Sequence, residues 1–151
     1  MISVCSPLEA RLPTALALGS FDGLHSGHRT VIKTITSKSL GIPSVVSFWP
    51  HPREVLYGES RLRLYLPEEK ASLLEPLGIE QLILVPFNRS LASLSASDFY
   101  HQILINNLQA KHIAVGENFR FGKDRKGDAS TLLKLGKSSG IKITVVEIIE
   151  D

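Results

Sequence analysis

The sequence predicts an α/β fold: an open, mostly parallel, doubly wound sheet of five strands with helices on both faces. Three observations carry this reading. Short apolar runs rich in β-branched residues alternate with segments of helical period, as parallel strands joined by crossover helices require. Glycines and prolines fall at the joints between them. The chain has 151 residues, 43% hydrophobic and 21% charged, the size and composition of one self-sufficient core without disulfides or metals.

The elements follow in order. "TALALGSF" (14–21) reads as the first strand. From Gly27 a helix begins, with Val31, Ile32 and Ile35 on one face, and "SLGIP" (39–43) ends it with a glycine and a proline. "SVVSFW" (44–49) is the second strand, rich in β-branched residues. "PHPREVLYGESRLRLY" (50–65) opens with two prolines, has no clean period and reads as a loop with at most one helical turn. "PEEKASLLEPLG" (67–78) is a helix: Pro67 suits its first turn, Glu68 and Glu69 its positive end, Pro76 distorts its last turn, and Gly78 ends it. "QLILVPF" (81–87) is a buried strand. Ser95 and Asp98 resemble a capping box opening the helix "DFYHQILINNLQ" (98–109). "HIAVGENF" (112–119) is the fourth strand and runs into the glycine-rich loop 116–128; "ASTLLKLGKSSG" (129–140) is a helix, and "KITVVEII" (142–149) the fifth strand. No repeat, linker or low-complexity segment divides the chain, so 1–151 reads as one Rossmann-like domain.

Composition narrows the function classes. No apolar run reaches the roughly 18–20 residues needed to cross a bilayer, and the N-terminus lacks the basic region of a signal peptide. Cys5 is the only cysteine, which excludes an internal disulfide and a cysteine-based zinc cluster and fits a reducing, cytoplasmic setting. The net charge of +2 does not argue for a nucleic-acid or membrane partner. The charge is uneven, however: Arg120, Lys123, Arg125, Lys126, Lys134, Lys137 and Lys142 stand against Asp124 and Asp128. That stretch either faces phosphates or is a solvated loop and helix face.

In doubly wound sheets ligands bind at the carboxyl ends of the strands, so the loops after the first, second and fourth strands are where chemistry is sought. "GSFDGLHSGH" (19–28) occupies the first of them. Gly19 and Gly23 let the backbone leave the strand sharply, and Gly27 permits close approach at a helix start. A helix N-terminus offers unpaired N–H groups and about half a positive charge to an anion, and His25 and His28 add imidazole donors there. This suits nucleotide phosphates, whose extra charge during transfer such donors neutralise. The plainer alternative is a turn carrying two surface histidines. No P-loop is present, and the spacing 19, 23, 27 does not fit a dinucleotide fingerprint. Zinc on His25 and His28 would need a third ligand that the sequence does not offer, whereas Mg2+ bound mainly through substrate phosphates needs few protein ligands. The identity of any protein-held metal stays open.

G-x-F-D-G-x-H-x-G-H resembles the signature of the H-x-G-H nucleotidyltransferases, in the form found in bacterial FAD synthetases. Two further segments share the resemblance: "FWPHPREVL" (48–56) is similar to the family's F-x-P-H-P-R segment, and "VGENFRFGKDRKG" (115–127) to its second glycine-rich loop. The resemblance covers nearly the whole chain, and the three segments in this order make it specific. The resemblance implies an FMN adenylyltransferase that moves AMP from ATP to FMN, giving FAD and pyrophosphate, with Mg2+ accompanying ATP. It implies that His25 and His28 are catalytic, stabilising charge on the α-phosphate and the leaving pyrophosphate, and that Gly19, Ser20, Phe21, Asp22, Gly23 and Gly27 bind ATP or its phosphates. Pro50, Pro52 and Phe121 match positions associated with the flavin, and Asn118 one associated with substrate phosphate or ribose. Two prolines and a phenylalanine would make a flat, rigid wall for an isoalloxazine.

The family usually carries a serine-rich segment ending in Ile-Arg after the last strand, and often a β-barrel riboflavin kinase beyond it. Neither lies within this sequence, so a C-terminally truncated module is expected. Two other readings remain: another H-x-G-H transferase acting on pantetheine phosphate, nicotinamide mononucleotide or a CTP-dependent substrate, and a non-catalytic nucleotide- or flavin-binding module. "PHPR" and "GENFRFG" weigh against the first and the histidine pair against the second.

Overall fold

A computed structural model describes residues 2–19, 26–37, 40–49 and 67–147. The strands are β1 (Ser3–Cys5), β2 (Thr14–Leu18), β3 (Ile42–Trp49), β4 (Gln81–Pro86), β5 (Ala110–Gly116), β6 (Arg120–Phe121), β7 (Gly127–Asp128) and β8 (Lys142–Val146). The helices are α1 (Ser26–Thr36), α2 (Pro67–Leu74), α3 (Arg89–Ala92), α4 (Ala96–Phe99) and α5 (Ala129–Ser139). Six strands form one sheet in the order β1-β4-β3-β2-β5-β8, and every neighbouring pair in it is parallel. The five anticipated strands are all present. Their order around the centre, β4-β3-β2-β5-β8, winds outwards in both directions from β2, which defines a doubly wound sheet.

Both faces of the sheet are covered, and the period of two along each strand shows how. Ala15, Ala17, Val45, Leu82 and Ala114 point to one face, where Val31, Ile32 and Ile35 of α1 and Ala71 and Leu74 of α2 pack on them. Leu16, Leu18, Val46, Ile83, Ile113 and Val115 point to the other, against Phe99, Tyr100, Leu104 and Leu132. The alanines under α1 let that helix approach the sheet closely, which places its first turn just above the strand ends.

Helix ends match the sequence where local chemistry decides them. The α2 helix starts at Pro67, passes into a single 3-10 turn over Glu75–Leu77 around Pro76, and stops at Gly78 with φ 94°. Helix α5 is capped by Asp128, whose carboxylate accepts from the Thr131 N–H at 2.9 Å, and ends at Gly140 with φ 74°. Ser95 accepts from the Asp98 N–H at 3.0 Å, as expected of a cap, and α4 opens at Ala96. The helix then continues not as regular α-helix but as a π-helical stretch over Tyr100–Asn107.

Two features differ from the anticipated five strands. A sixth strand, β1, adds to the β4 edge, pairing Ser3 with Gln81. It pairs with β4 along its whole length, and the chain after it is tied to the same strand by the buried side chain of Gln81, whose Nε2 donates to Arg11 O at 3.0 Å while its Oε1 accepts from Arg11 N at 3.1 Å. The glycine-rich loop after β5 is itself folded, as the antiparallel β6–β7 hairpin. The anticipated loop over 50–65 lies outside the described residues.

Candidate functional site

The candidate site lies where the winding of the sheet reverses, between the carboxyl ends of β2 and β5. Leu18 pairs with Val115, so Gly19 leaves β2 beside Gly116, the last residue of β5, which still pairs with Val146 of β8. In the adjoining crossovers the chain departs to opposite faces, which opens a crevice at that edge.

One wall is the start of α1. This helix packs its Val31, Ile32 and Ile35 on the sheet, and its first turn carries His28, half-buried. Gly27 lies in that same turn and Gly19 at the end of β2. The N–H groups of this turn have no intrahelical partners and favour an anion. Ser20, Phe21, Asp22, Gly23 and His25 lie outside the described residues.

The other wall is built by the segment after β5. Glu117 N donates to Val146 O at 2.8 Å and Phe119 N to Gly116 O at 3.1 Å, so the chain turns tightly there, with Asn118 exposed at the tip. The β6–β7 hairpin then folds back onto the loop before α4: Lys123 N donates to Leu94 O at 2.8 Å. Gly122 and Gly127 make this contact possible, because a Cβ on either would lie within 2.8 Å of Ala96.

The hairpin ends a row of aromatic rings. Phe121 is 5% exposed, packed on Phe99 at 5.9 Å and covered by Phe119 at 5.6 Å, nearly parallel at 16°. Phe99 in turn meets Phe48 of β3, which meets Phe87 just beyond β4. Phe121 is therefore part of the core, and the half-buried Phe119 is the ring laid flat over it. Phe119 was not singled out from sequence; the signal available was the spacing of two in "NFRF", which places both rings on one side of an extended segment. Pro50 and Pro52 lie outside the described residues.

The two walls thus differ in character. Gly19, Gly27 and His28 sit on the α1 side, polar and suited to phosphate; Asn118, Phe119 and Phe121 sit on the α4 side, aromatic. The basic stretch divides as well. Arg120, Lys123, Arg125 and Lys126 are exposed on the hairpin, with Asp124 and Arg125 at positive φ (56° and 55°), while Lys134 and Lys137 lie on the exposed face of α5. Arg120 approaches Asp128 at 4.0 Å. Bonds from Thr131, foremost its N–H, hold the Asp128 carboxyl below the usual carboxylate range.

Two buried titratable residues were not anticipated. Lys70 in α2 is 6% exposed and donates to Ser47 Oγ of β3 at 3.1 Å. His112, at the start of β5, is 1% exposed; Nε2 is 2.8 Å from Thr144 Oγ1, and Nδ1 has no hydrogen-bond partner among the described residues. Burial, reinforced by Lys142, pushes the His112 imidazole below its ordinary pKa.

A sequence model described as FAD synthetase matches residues 8–151. The chain belongs to the FAD synthetase family. Among this family's curated relatives, the bifunctional riboflavin kinase/FMN adenylyltransferase of Pseudomonas fluorescens is 34% identical over 136 residues, covering 88% of this chain and 44% of the relative. The protein of the same name from Escherichia coli K12 is 35% identical over 133 residues, covering 85% and 42%. The chain therefore spans less than half the length of these relatives. A solved Streptococcus pneumoniae structure, described as a macrolide-efflux protein, superposes with TM-score 0.84 at 26% identity over 100% of this chain and 53% of that one. Pantothenate synthetase from Thermus thermophilus superposes with TM-score 0.57 at 18% identity over 98% and 61%, which shows the shared α/β fold alone. Among the described residues of this FAD synthetase family member, no helix is long and apolar enough to cross a membrane.

Proposed function

We propose that this chain is the adenylyl-transferring module of an FMN adenylyltransferase, joining AMP from ATP to FMN to give FAD and pyrophosphate. The observation that carries the reading is a half-buried histidine, His28, in the first turn of the helix that follows the central strand, in a chain that matches the FAD synthetase family from residue 8 to 151. Its relatives are named for this activity; here it also agrees with the two-sided crevice.

The nucleotide phosphates lie on the α1 side in this reading. The N–H groups of the first turn of α1 and the His28 imidazole hold the α-phosphate and the pyrophosphate leaving group; His25, Ser20, Phe21, Asp22 and Gly23 would complete the cradle with Gly19 and Gly27. The flavin lies on the α4 side, with Phe119 over Phe121 as an apolar wall, to which Pro50 and Pro52 would contribute as flavin-binding residues, and Asn118 near the phosphate or ribose. An oxygen of the FMN phosphate attacks the α-phosphorus of ATP in line; the new P–O bond forms as the bond to the bridging oxygen breaks, and that oxygen leaves with pyrophosphate. No protein nucleophile is needed, and the donors on α1 act by stabilising charge that grows on the transferring and leaving groups.

Among the described residues no three His, Cys, Asp or Glu side chains gather to hold a metal. This donor set suits Mg2+ that keeps its waters and takes its other ligands from ATP, where it would neutralise phosphate charge. A cytoplasmic setting and free ATP and FMN as the partners complete the reading.

Thermal-shift titration of the intact protein tests it. FMN should raise Tm, and 4′-phosphopantetheine or nicotinamide mononucleotide should not; ligand at about 100 times Kd contributes about 2.7 kcal/mol. Stabilisation by either alternative without FMN would point to another H-x-G-H transferase. Stabilisation by FMN and ATP with no FAD formed would make this a binding module.

A further inference from the structure

The cations of the β6–β7 hairpin gather at its tip. Lys123, Arg125 and Lys126 are exposed within four consecutive residues, against Asp124 alone; Glu117, on the turn before β6, is the other exposed acid of this segment. Among the described residues none of the three cations takes part in an ion pair, whereas Arg120 in β6 faces Asp128 at 4.0 Å. Nor does the turn call for such side chains. Asp124 and Arg125 hold φ 56° and 55°, the left-handed region that glycine or asparagine occupies at less cost.

The seat of the hairpin puts this tip beyond the carboxyl edge of the sheet. Helix α4 and its π-helical continuation run against the strands. They start from that edge, where Phe99 meets Phe48 near the end of β3, and reach the amino edge, where Leu108 O accepts from Thr14 Oγ1 at 2.8 Å. Leu94 and Ala96 precede Phe99 and so lie past the carboxyl edge, and Lys123 N is fastened to Leu94 O. Phe119 and Phe121 lead directly into the tip: from Phe119 to Lys123 the chain spans at most about 14 Å. That is less than two screening lengths, each about 8 Å at physiological salt.

We propose that Lys123, Arg125 and Lys126 form an anion-steering tip that favours phosphorylated over unphosphorylated flavin. They draw the phosphate of FMN towards the aromatic wall, and neutral riboflavin gains nothing from them. This deepens the FMN adenylyltransferase reading and rests on it. Exposed charges act on encounter more than on the bound complex, so they raise the association rate and leave dissociation to the contacts of the crevice. The phosphate that is steered is also the group that attacks in this reading, so a flavin lacking it is disfavoured before it occupies the wall.

Stopped-flow flavin fluorescence with the intact protein tests this, by giving association and dissociation rates for FMN and riboflavin over a range of salt. The triple variant Lys123→Gln, Arg125→Asn, Lys126→Gln removes the charges and keeps a residue suited to the left-handed backbone at 125. Its association rate for FMN should be about tenfold below wild type at about 0.01 M ionic strength and within about twofold of it at about 1 M, where screening is complete within about 3 Å. Dissociation of FMN and association of riboflavin should stay within about twofold of wild type. The charge-keeping triple variant Lys123→Arg, Arg125→Lys, Lys126→Arg should retain the fast association. If the first variant does not fold, the double variant Lys123→Gln, Lys126→Gln, which leaves both left-handed residues in place, must still lose about fourfold at low salt. An unchanged rate for FMN at low salt, an equal fall for riboflavin, a deficit that persists at about 1 M, a loss confined to dissociation, or an equal loss in the charge-keeping variant would each overturn the proposal. Wild-type protein that binds FMN and forms no FAD would overturn the adenylyltransferase reading instead, and the same rates still decide the steering; wild-type protein that binds no FMN would overturn both.

Discussion

Replacing Gly122 by alanine tests how the second glycine-rich segment is held over the site. Gly122 has φ 81° and ψ 177°, a region in which a side chain costs about 1–3 kcal/mol. A Cβ there would also lie 2.7 Å from Ala96 N and 2.8 Å from Ala96 Cα, backbone atoms at the start of α4 that cannot swing away. Relief requires the hairpin to move, which breaks the 2.8 Å bond from Lys123 N to Leu94 O, worth about 1 kcal/mol. The sum is about 2–4 kcal/mol, or about 4–16 °C in Tm for a domain of this size. Gly140→Ala is the internal control: its φ is also positive, at 74°, but nothing lies within 4 Å of the added Cβ, so only the backbone cost of about 1–2 kcal/mol remains. Urea denaturation of both variants, read by tryptophan fluorescence and far-UV circular dichroism, measures the difference. Because the hairpin carries Phe121 and adjoins Phe119, Gly122→Ala should also weaken FMN binding, whereas Gly140→Ala should not. A loss at Gly122 no greater than that at Gly140 would refute the close contact with α4.

Other substitutions probe the core and its titration. Leu16→Ala, on the central strand with no exposed surface, should cost about 2–5 kcal/mol by urea denaturation, since the flanking strands hold the cavity open. His112 should make stability depend on pH: because its folded-state pKa lies below the ordinary imidazole value, the unfolded chain binds the proton more readily, so stability is full above about pH 6.5 and falls as pH drops towards the lowered pKa. In His112→Gln the slope of stability against pH between about 6.5 and 5 should flatten, and an unchanged slope would remove His112 as its source.

The relation between sequence and structure follows physical range. Features set within a few residues were legible: the Ser95 cap, the stop at Gly78, and the distortion before that stop at Pro76. Strands buried on both faces were legible because their apolar runs leave no other reading, and the alternation of Ala17 and Leu18 between two cores explains why β2 shows no polar face. What was not legible depends on partners far along the chain. Three residues at Ser3–Cys5 carry no period of their own and become a strand by pairing with Gln81–Ile83 of β4, far along the chain. The two-residue strands of the hairpin, the burial of Lys70 and the burial of His112 are of the same kind. At the candidate site, the motif singled out His28, and the structure places it in the first turn of α1, where the sequence put the start of that helix. Phe119 was missed because the motif favours Phe121, while packing decides which of the two rings is covered.

The central claim is that the α1 corner stabilises charge during adenylyl transfer to FMN. FAD formation by the intact protein with ATP and FMN, compared between wild type and His28→Ala at equal Tm, tests it most directly. The account predicts FAD and pyrophosphate in equal amounts from wild type, and a fall in kcat of about 100-fold or more on losing the imidazole. FAD formed at the wild-type rate by His28→Ala would contradict it.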